Sequence, residues 1–260
     1  MTDYAAIGRK KLLEIDGDAG IKVEEALNNI CPDLARYLIE YSFGEIYARE
    51  ILDNRTKEQA VVAALTAMGT ATPQLKVHIH AALHVGCTPE EIREIIILMS
   101  GYAGFPGTLN AMGTLIEVLK ETGQTLSKAS VHAGSEGRYE RGKKWLMQIA
   151  PNQEQVLKET YDKINPDITR YVIEFGYGDI YARGILPIRN RQVATIAALA
   201  AKGTAPAQLQ FHIGGGLRAG LSEAEIVEIM LLVSIYAGFP AALNGILATH
   251  EVVTAMQKTG

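Results

Sequence analysis

At 260 residues, 48% of them apolar, with a formal net charge of −4, the chain has enough apolar material for a sizeable core. The same charge leaves no electrostatic footprint for nucleic acid or an anionic membrane, and no apolar run approaches bilayer-spanning length. Two cysteines, Cys31 and Cys87, make neither a disulfide framework nor a zinc site, and without a signal-type N-terminal core a cytoplasmic protein is expected.

The predicted elements occur twice. A constant shift of 134 residues carries His78 onto His212, Gly86 onto Gly220, Glu91 onto Glu225 and Tyr102 onto Tyr236. Self-similarity at a fixed spacing marks a duplicated unit. The first element, residues 4–15, matches 139–149 through Gly8-Arg9-Lys10 and Gly142-Lys143-Lys144. A helix over 22–29 stops at Cys31-Pro32-Asp33, as its counterpart stops at Asn165-Pro166-Asp167, and the proline restarts a helix as a first-turn residue. That next helix reads RYLIEYSFGEIYAR (36–49) and RYVIEFGYGDIYAR (170–183), with a break expected at Gly44 and Gly178. An apolar helix over 56–68 ends at Gly69, and Gly203 marks the same stop.

The helix bearing His78 ends at Gly86, where glycine supplies a left-handed residue at least cost. Thr88 to Glu91 and Ser222 to Glu225 have the capping-box form. Beyond the first box, Ile92, Ile95, Ile96 and Met99 keep the spacing of one buried face. Tyr-Ala-Gly-Phe-Pro then breaks the helix, and a last one covers 106–121. No segment shows the alternation of a strand. The expected fold is all-α: two tandem helical domains over 1–125 and 138–260, joined by a polar, glycine-bearing linker at 126–137.

Taken in order, GEIYAR, a basic residue and Glu opening an apolar helix, QLKVHI, GCTPEEIREII and YAGFP resemble the carboxymuconolactone decarboxylase family. The likeness covers most of each half and implies a tandem duplication of that domain, within the alkylhydroperoxidase D-like superfamily. It further implies an all-helical fold, a homo-oligomer (a trimer for a duplicated chain) and cofactor-free decarboxylation of a small carboxylated unsaturated lactone such as 4-carboxymuconolactone. The expected partner is that small carboxylate or lactone, with no cofactor, metal, nucleic acid or membrane. Peroxidases of the superfamily carry Cys-x-x-Cys shortly before the histidine. Here the same ground is Ala71-Thr72-Pro73-Gln74 and Ala205-Pro206-Ala207-Gln208, which speaks against dithiol chemistry.

His78 and His212 lead the candidates because they recur, either as core histidines or as general acid/base groups tuned by burial. Glu58 matches an acidic position of the family, although a glutamate opening a helix is also favoured by the helix dipole. Its counterpart is Gln192, so a role for Glu58 makes the first repeat the competent one. Arg49 and Arg183 could grip a substrate carboxylate, with Arg55 and Arg189 in reserve; Glu45 and Asp179 are their alternative, structural partners. Tyr102 and Tyr236 either bind substrate or pack. His78, His80 and His84 suggest a metal, but His78 projects nearly opposite His80, and the second half has Gly214 and Arg218 instead, so none is expected. The resemblance gives proton delivery to His78 and His212, assisted by Glu58, and carboxylate orientation to Arg49 and Arg183. Two rivals stand beside it: another cofactor-free isomerisation or hydrolysis of a small acid or lactone, and a non-enzymatic helical scaffold that binds a ligand.

Overall fold

The computed structural model describes residues 2–128 and 136–259, so that 129–135 of the expected linker lie outside the described residues. Among the described residues every regular element is helical, as two sets of seven α-helices. In the first repeat these are α1 (Tyr4–Asp16), α2 (Asp18–Asn28), α3 (Pro32–Tyr37), α4 (Asn54–Met68), α5 (Thr72–His84), α6 (Pro89–Leu98) and α7 (Gly104–Thr122). The second repeat supplies α8 (Arg138–Ile149), α9 (Gln153–Tyr161), α10 (Pro166–Tyr171), α11 (Ile188–Lys202), α12 (Pro206–Arg218), α13 (Glu223–Ala237) and α14 (Phe239–Thr259).

The break expected at Gly44 and Gly178 is absent. Instead α3 and α10 run on as π-helices, Leu38–Tyr47 and Val172–Tyr181. Their wider turn shows in the bonds from Ala48 N to Phe43 O, 3.1 Å, and from Ala182 N to Tyr177 O, 3.0 Å. The glycines are there because another backbone touches them. A Cβ on Gly44 would stand 2.3 Å from Tyr4 O, and one on Gly8 would stand 2.1 Å from Ile39 O. Gly178 and Gly142 repeat this contact against Arg138 O and Ile173 O, so in each repeat the first helix lies directly on the π segment.

Two buried cations hold the far ends of the π segments. Lys57 Nζ donates to Tyr47 O at 2.8 Å and also to Arg49 O, and Arg191 Nε donates to Leu186 O at 3.0 Å while its fork reaches Arg183 O. A cation at a helix C-terminus satisfies orphan carbonyls and complements the dipole. Burial lowers the Lys57 ammonium to about 8.

α4 and α11 pack against each other at the centre of the molecule, where the repeats meet. Every residue from Thr56 to Ala67 and from Arg191 to Ala200 is buried, as befits helices enclosed on all sides. Both capping boxes are present, with Thr88 and Ser222 accepting from Glu91 N and Glu225 N at 3.2 Å. From them α6 and α13 rise against both central helices: α13 packs on α11 and also on α4, and α6 packs on α4 and also on α11. After α6 the chain makes one 3-10 turn, Met99–Gly101, before Tyr102, whereas α13 continues unbroken through Tyr236. This packing across the repeats decides what each site contains.

Candidate active site

Each histidine is completed by a tyrosine from the other repeat. His78 on α5 and Glu58 on α4 are joined by His78 Nδ1 to Glu58 Oε2 at 2.8 Å, both buried. Tyr47, at the end of the first π-helix, donates its hydroxyl to Glu58 Oε1 at 2.9 Å. Tyr236 comes across on α13, its hydroxyl 2.6 Å from that of Tyr47 and its ring edge-on to His78 at 4.9 Å. In the second repeat His212 Nδ1 meets Gln192 Oε1 at 3.0 Å, and Tyr102 of the first repeat reaches His212 Nε2 at 3.1 Å and Tyr181 at 3.0 Å.

The proton arrangement differs between the two. Gln192 Oε1 can only accept, so His212 carries its proton on Nδ1 and accepts at Nε2 from the Tyr102 hydroxyl. Tyr102 then accepts from Tyr181, and Tyr181 accepts from Gln192 Nε2 at 3.3 Å. The circuit is a closed, uncharged ring of four donors and four acceptors. Burial pushes the His212 imidazole down to about 3, so the ring stays neutral.

The first repeat is an open chain instead. Tyr47 gives its proton to Glu58, so Tyr236 gives its own to Tyr47, and both phenol pKa values are raised, by burial first and by the Glu58 charge second. Among the described residues His78 Nε2 makes no hydrogen bond. Burial disfavours the His78 imidazolium, but Glu58 more than offsets this by charge and hydrogen bond, and the pKa is raised. A single exchange, Glu58 for Gln192, separates a charged pair with a free imidazole nitrogen from a sealed neutral ring.

The arginines meet neither histidine. Arg49 Nε lies 3.0 and 2.8 Å from the two carboxylate oxygens of Glu228, and Arg183 Nε and Nη2 lie 2.6 and 2.8 Å from Glu94. These are cross-repeat ion pairs to buried glutamates of α13 and α6, so the structural partners are not Glu45 and Asp179. Asp179 is held by Arg138 and Arg141. Arg55 and Arg189 are taken up by the capping-box residues Glu91 and Glu225. Arg183 is mostly covered by its pair, whereas the Arg49 side chain is 43% exposed and bonds Glu228 through Nε alone.

His80 pairs with Glu121 on the surface, away from the His78 pair, and among the described residues no three metal-ligating side chains converge. Cys87 is buried and pushed up to about 12 by that burial, the wrong direction for an attacking thiol.

Sequence reasoning missed Tyr47 and Tyr181, although both recur within GEIYAR and GDIYAR. It also missed Asp16, whose counterpart is Ala150. Asp16 ends α1 beside a cavity shared with His80 and His84, and its Oδ1 is buried without a hydrogen-bond partner. Burial raises this carboxyl to about 6, with the Glu58 charge adding to the shift. Because the folded value exceeds the ordinary 3.8, the group stabilises the fold only while protonated and loses that contribution as pH rises through about 6. Asp16→Asn is therefore expected to stabilise the protein at pH 8 by up to about 3 kcal/mol, with the gain gone at pH 4. Thermal melts at the two pH values check this, and an equal gain at both would refute it.

The sequence profile of the carboxymuconolactone decarboxylase family matches residues 32–117 and again 166–251. The chain belongs to that family, as two copies of its domain in tandem. It is 32% identical over 99 residues to 4-carboxymuconolactone decarboxylase of Acinetobacter baylyi, covering 38% of this chain and 73% of that protein. It is 25% identical over 89 residues to nitrosuccinic acid decarboxylase of Metarhizium robertsii, covering 34% of this chain and 62% of that one. The fold matches, at a TM-score of 0.58 and 24% identity over 98% of both chains, a crystal structure described as a gamma-carboxymuconolactone decarboxylase subunit from Burkholderia xenovorans LB400. No helix among the described residues is long and apolar enough to cross a membrane.

Proposed function

We propose that the first repeat is a decarboxylase of a small acid whose carboxylate leaves next to an electron-accepting group, a carboxylated unsaturated lactone being the leading candidate. The observation that carries this reading is the buried Glu58–His78 pair with His78 Nε2 open, set against the closed ring of the second repeat. The two relatives named above are decarboxylases of a lactone acid and of a nitro acid, and in either substrate the acceptor group takes the electron pair as the carbon–carbon bond breaks and carbon dioxide departs. The protein then has to orient the acid and return one proton to carbon.

His78, its imidazolium favoured by Glu58 on Nδ1, delivers that proton from Nε2, and solvent water returns a proton to Nε2 after carbon dioxide leaves, while Tyr47, itself bonded by Tyr236, holds Glu58 in place. Arg49, two residues beyond Tyr47 and half exposed, is the cation for the substrate carboxylate. Arg183 and His212, covered and sealed, do not repeat these roles. The test is carbon dioxide release from 4-carboxymuconolactone and from nitrosuccinate by the purified chain in chelator. Release from either supports the reading, and release from neither removes it.

The exposed apolar residues Phe105 and Leu109 on α7 recur as Phe239 and Leu243 on α14, and each helix exposes one further apolar residue, Ile116 and Leu247, at non-equivalent positions. Such stripes suit a homo-oligomer, a trimer of chains being expected. Light scattering checks this, a monomer mass being the contrary result.

A further inference from the structure

The second repeat has Gln192 in place of Glu58 and carries a cavity at its histidine. The space above His212 has a volume of about 690 Å³, within the usual range for small-molecule sites. Its floor is the neutral ring of Tyr102, Tyr181 and His212, and its walls include Phe175, Tyr177 and Phe211. Among the described residues none that lines it is an Asp, Glu, Lys or Arg.

Two exchanges between the repeats bear on the lining of this cavity. In the first repeat the Tyr41 hydroxyl meets Ser234 Oγ of the other repeat at 2.7 Å, and Ser42 beside it is buried. The corresponding residues are Phe175, which has no hydroxyl to reach across, and Gly176, where an added Cβ would meet nothing within 4 Å. Ser100, the counterpart of Ser234, is left lining the cavity.

We propose that this cavity is a binding site for an uncharged small molecule built on a planar ring. Aromatic walls favour stacking against such a ring. A carboxylate entering here finds no cation, and His212 cannot become one at ordinary pH, so the desolvation cost of the charge goes uncompensated. The hydroxyls of Tyr102 and Ser100 remain able to accept one further hydrogen bond each from a ligand N–H or O–H. The two repeats thus divide the ligand classes: acids at His78, neutral rings at His212. The assignment of acids to His78 rests on the proposed decarboxylation, whereas that of neutral rings to His212 goes beyond it and stands on the cavity alone.

Coumarin and coumarin-3-carboxylate share the planar ring and differ by one carboxylate group, and calorimetric titration of the full chain with each is the test. Coumarin is expected to bind at one site per chain, and the carboxylate about tenfold or more weaker at that site. Gly176→Trp fills the open space at the cavity wall, and Ala207→Trp narrows it from an exposed position on α12, which guards against misfolding of the first variant. Either is expected to weaken coumarin about tenfold or more while leaving any decarboxylation at His78 unchanged. No coumarin binding at millimolar concentration, equal binding of the carboxylate, or affinity untouched by both variants would each overturn the proposal. Loss of carbon dioxide release without loss of coumarin binding would strike the first-repeat reading alone.

Discussion

Glu58→Gln is expected to cut carbon dioxide release on the order of a hundredfold to ten-thousandfold, the usual weight of general acid–base catalysis, and His78→Ala to match it. His212→Ala is expected to leave the rate nearly unchanged. Glu58→Gln copies the second repeat's side chain into the first, so it keeps a partner for His78 Nδ1 and for the Tyr47 hydroxyl while removing the charge. The His78 pKa then falls, because burial is no longer offset. The kcat–pH profile separates this from simple damage: wild type should lose activity as pH rises through the His78 pKa, and the variant should lose it at lower pH. If kcat survived Glu58→Gln, or if His212→Ala cost as much as His78→Ala, the asymmetric reading would fail.

The cross-repeat ion pairs carry the second large effect. Glu228 is fully buried and has Arg49 as its ion-pair partner, with Lys57 supplying only a longer-range charge. Glu94 is also fully buried, but keeps Arg93 Nε at 3.5 Å in addition to Arg183. Val227 stands where Arg93 would be in the second repeat. Arg49→Leu is therefore expected to destabilise the fold by about 3 kcal/mol, and Arg183→Leu by about 1 kcal/mol, since stranding a buried carboxylate is what costs most. The double variant Arg49→Leu/Glu228→Leu should recover most of the loss, because an apolar pair replaces a charge without its counterion. Denaturation midpoints measure all three. Equal losses for the two arginines, or a double variant worse than Arg49→Leu, would contradict the assignment.

The all-α fold and its duplication were legible because they rest on periodicity and recurrence, which a sequence displays directly. The π-helices were not. Gly44 and Gly178 carry the same letter whether a glycine ends a helix or lets another backbone approach within van der Waals contact, and only the approach of Tyr4 and Arg138 separates the two. Tyr47 and Tyr181 were visible in a recurring motif, where the neighbouring arginines drew the assignment because charge is the commoner mark of a site. Those arginines turned out to face glutamates 179 and 89 residues away, a pairing that no local spacing announces. Asp16 leaves no recurrent mark in the sequence, since its counterpart is Ala150, just as the counterpart of Glu58 is Gln192. That Tyr102 serves His212 and Tyr236 serves His78 could not be read either, since equivalence of positions says nothing about which copy a side chain meets.

The exchange of tyrosines has a genetic consequence. Were the repeats separate, identical subunits, each site would still borrow its tyrosine from a neighbour, but every substitution would fall on both sites at once, and a glutamine at position 58 would replace the charged pair everywhere in the assembly. Joined in one chain, the two copies mutate independently while remaining obliged to lend each other Tyr102 and Tyr236. One half is thereby free to change its own histidine's partners, yet its deletion would take a tyrosine out of the other half's site.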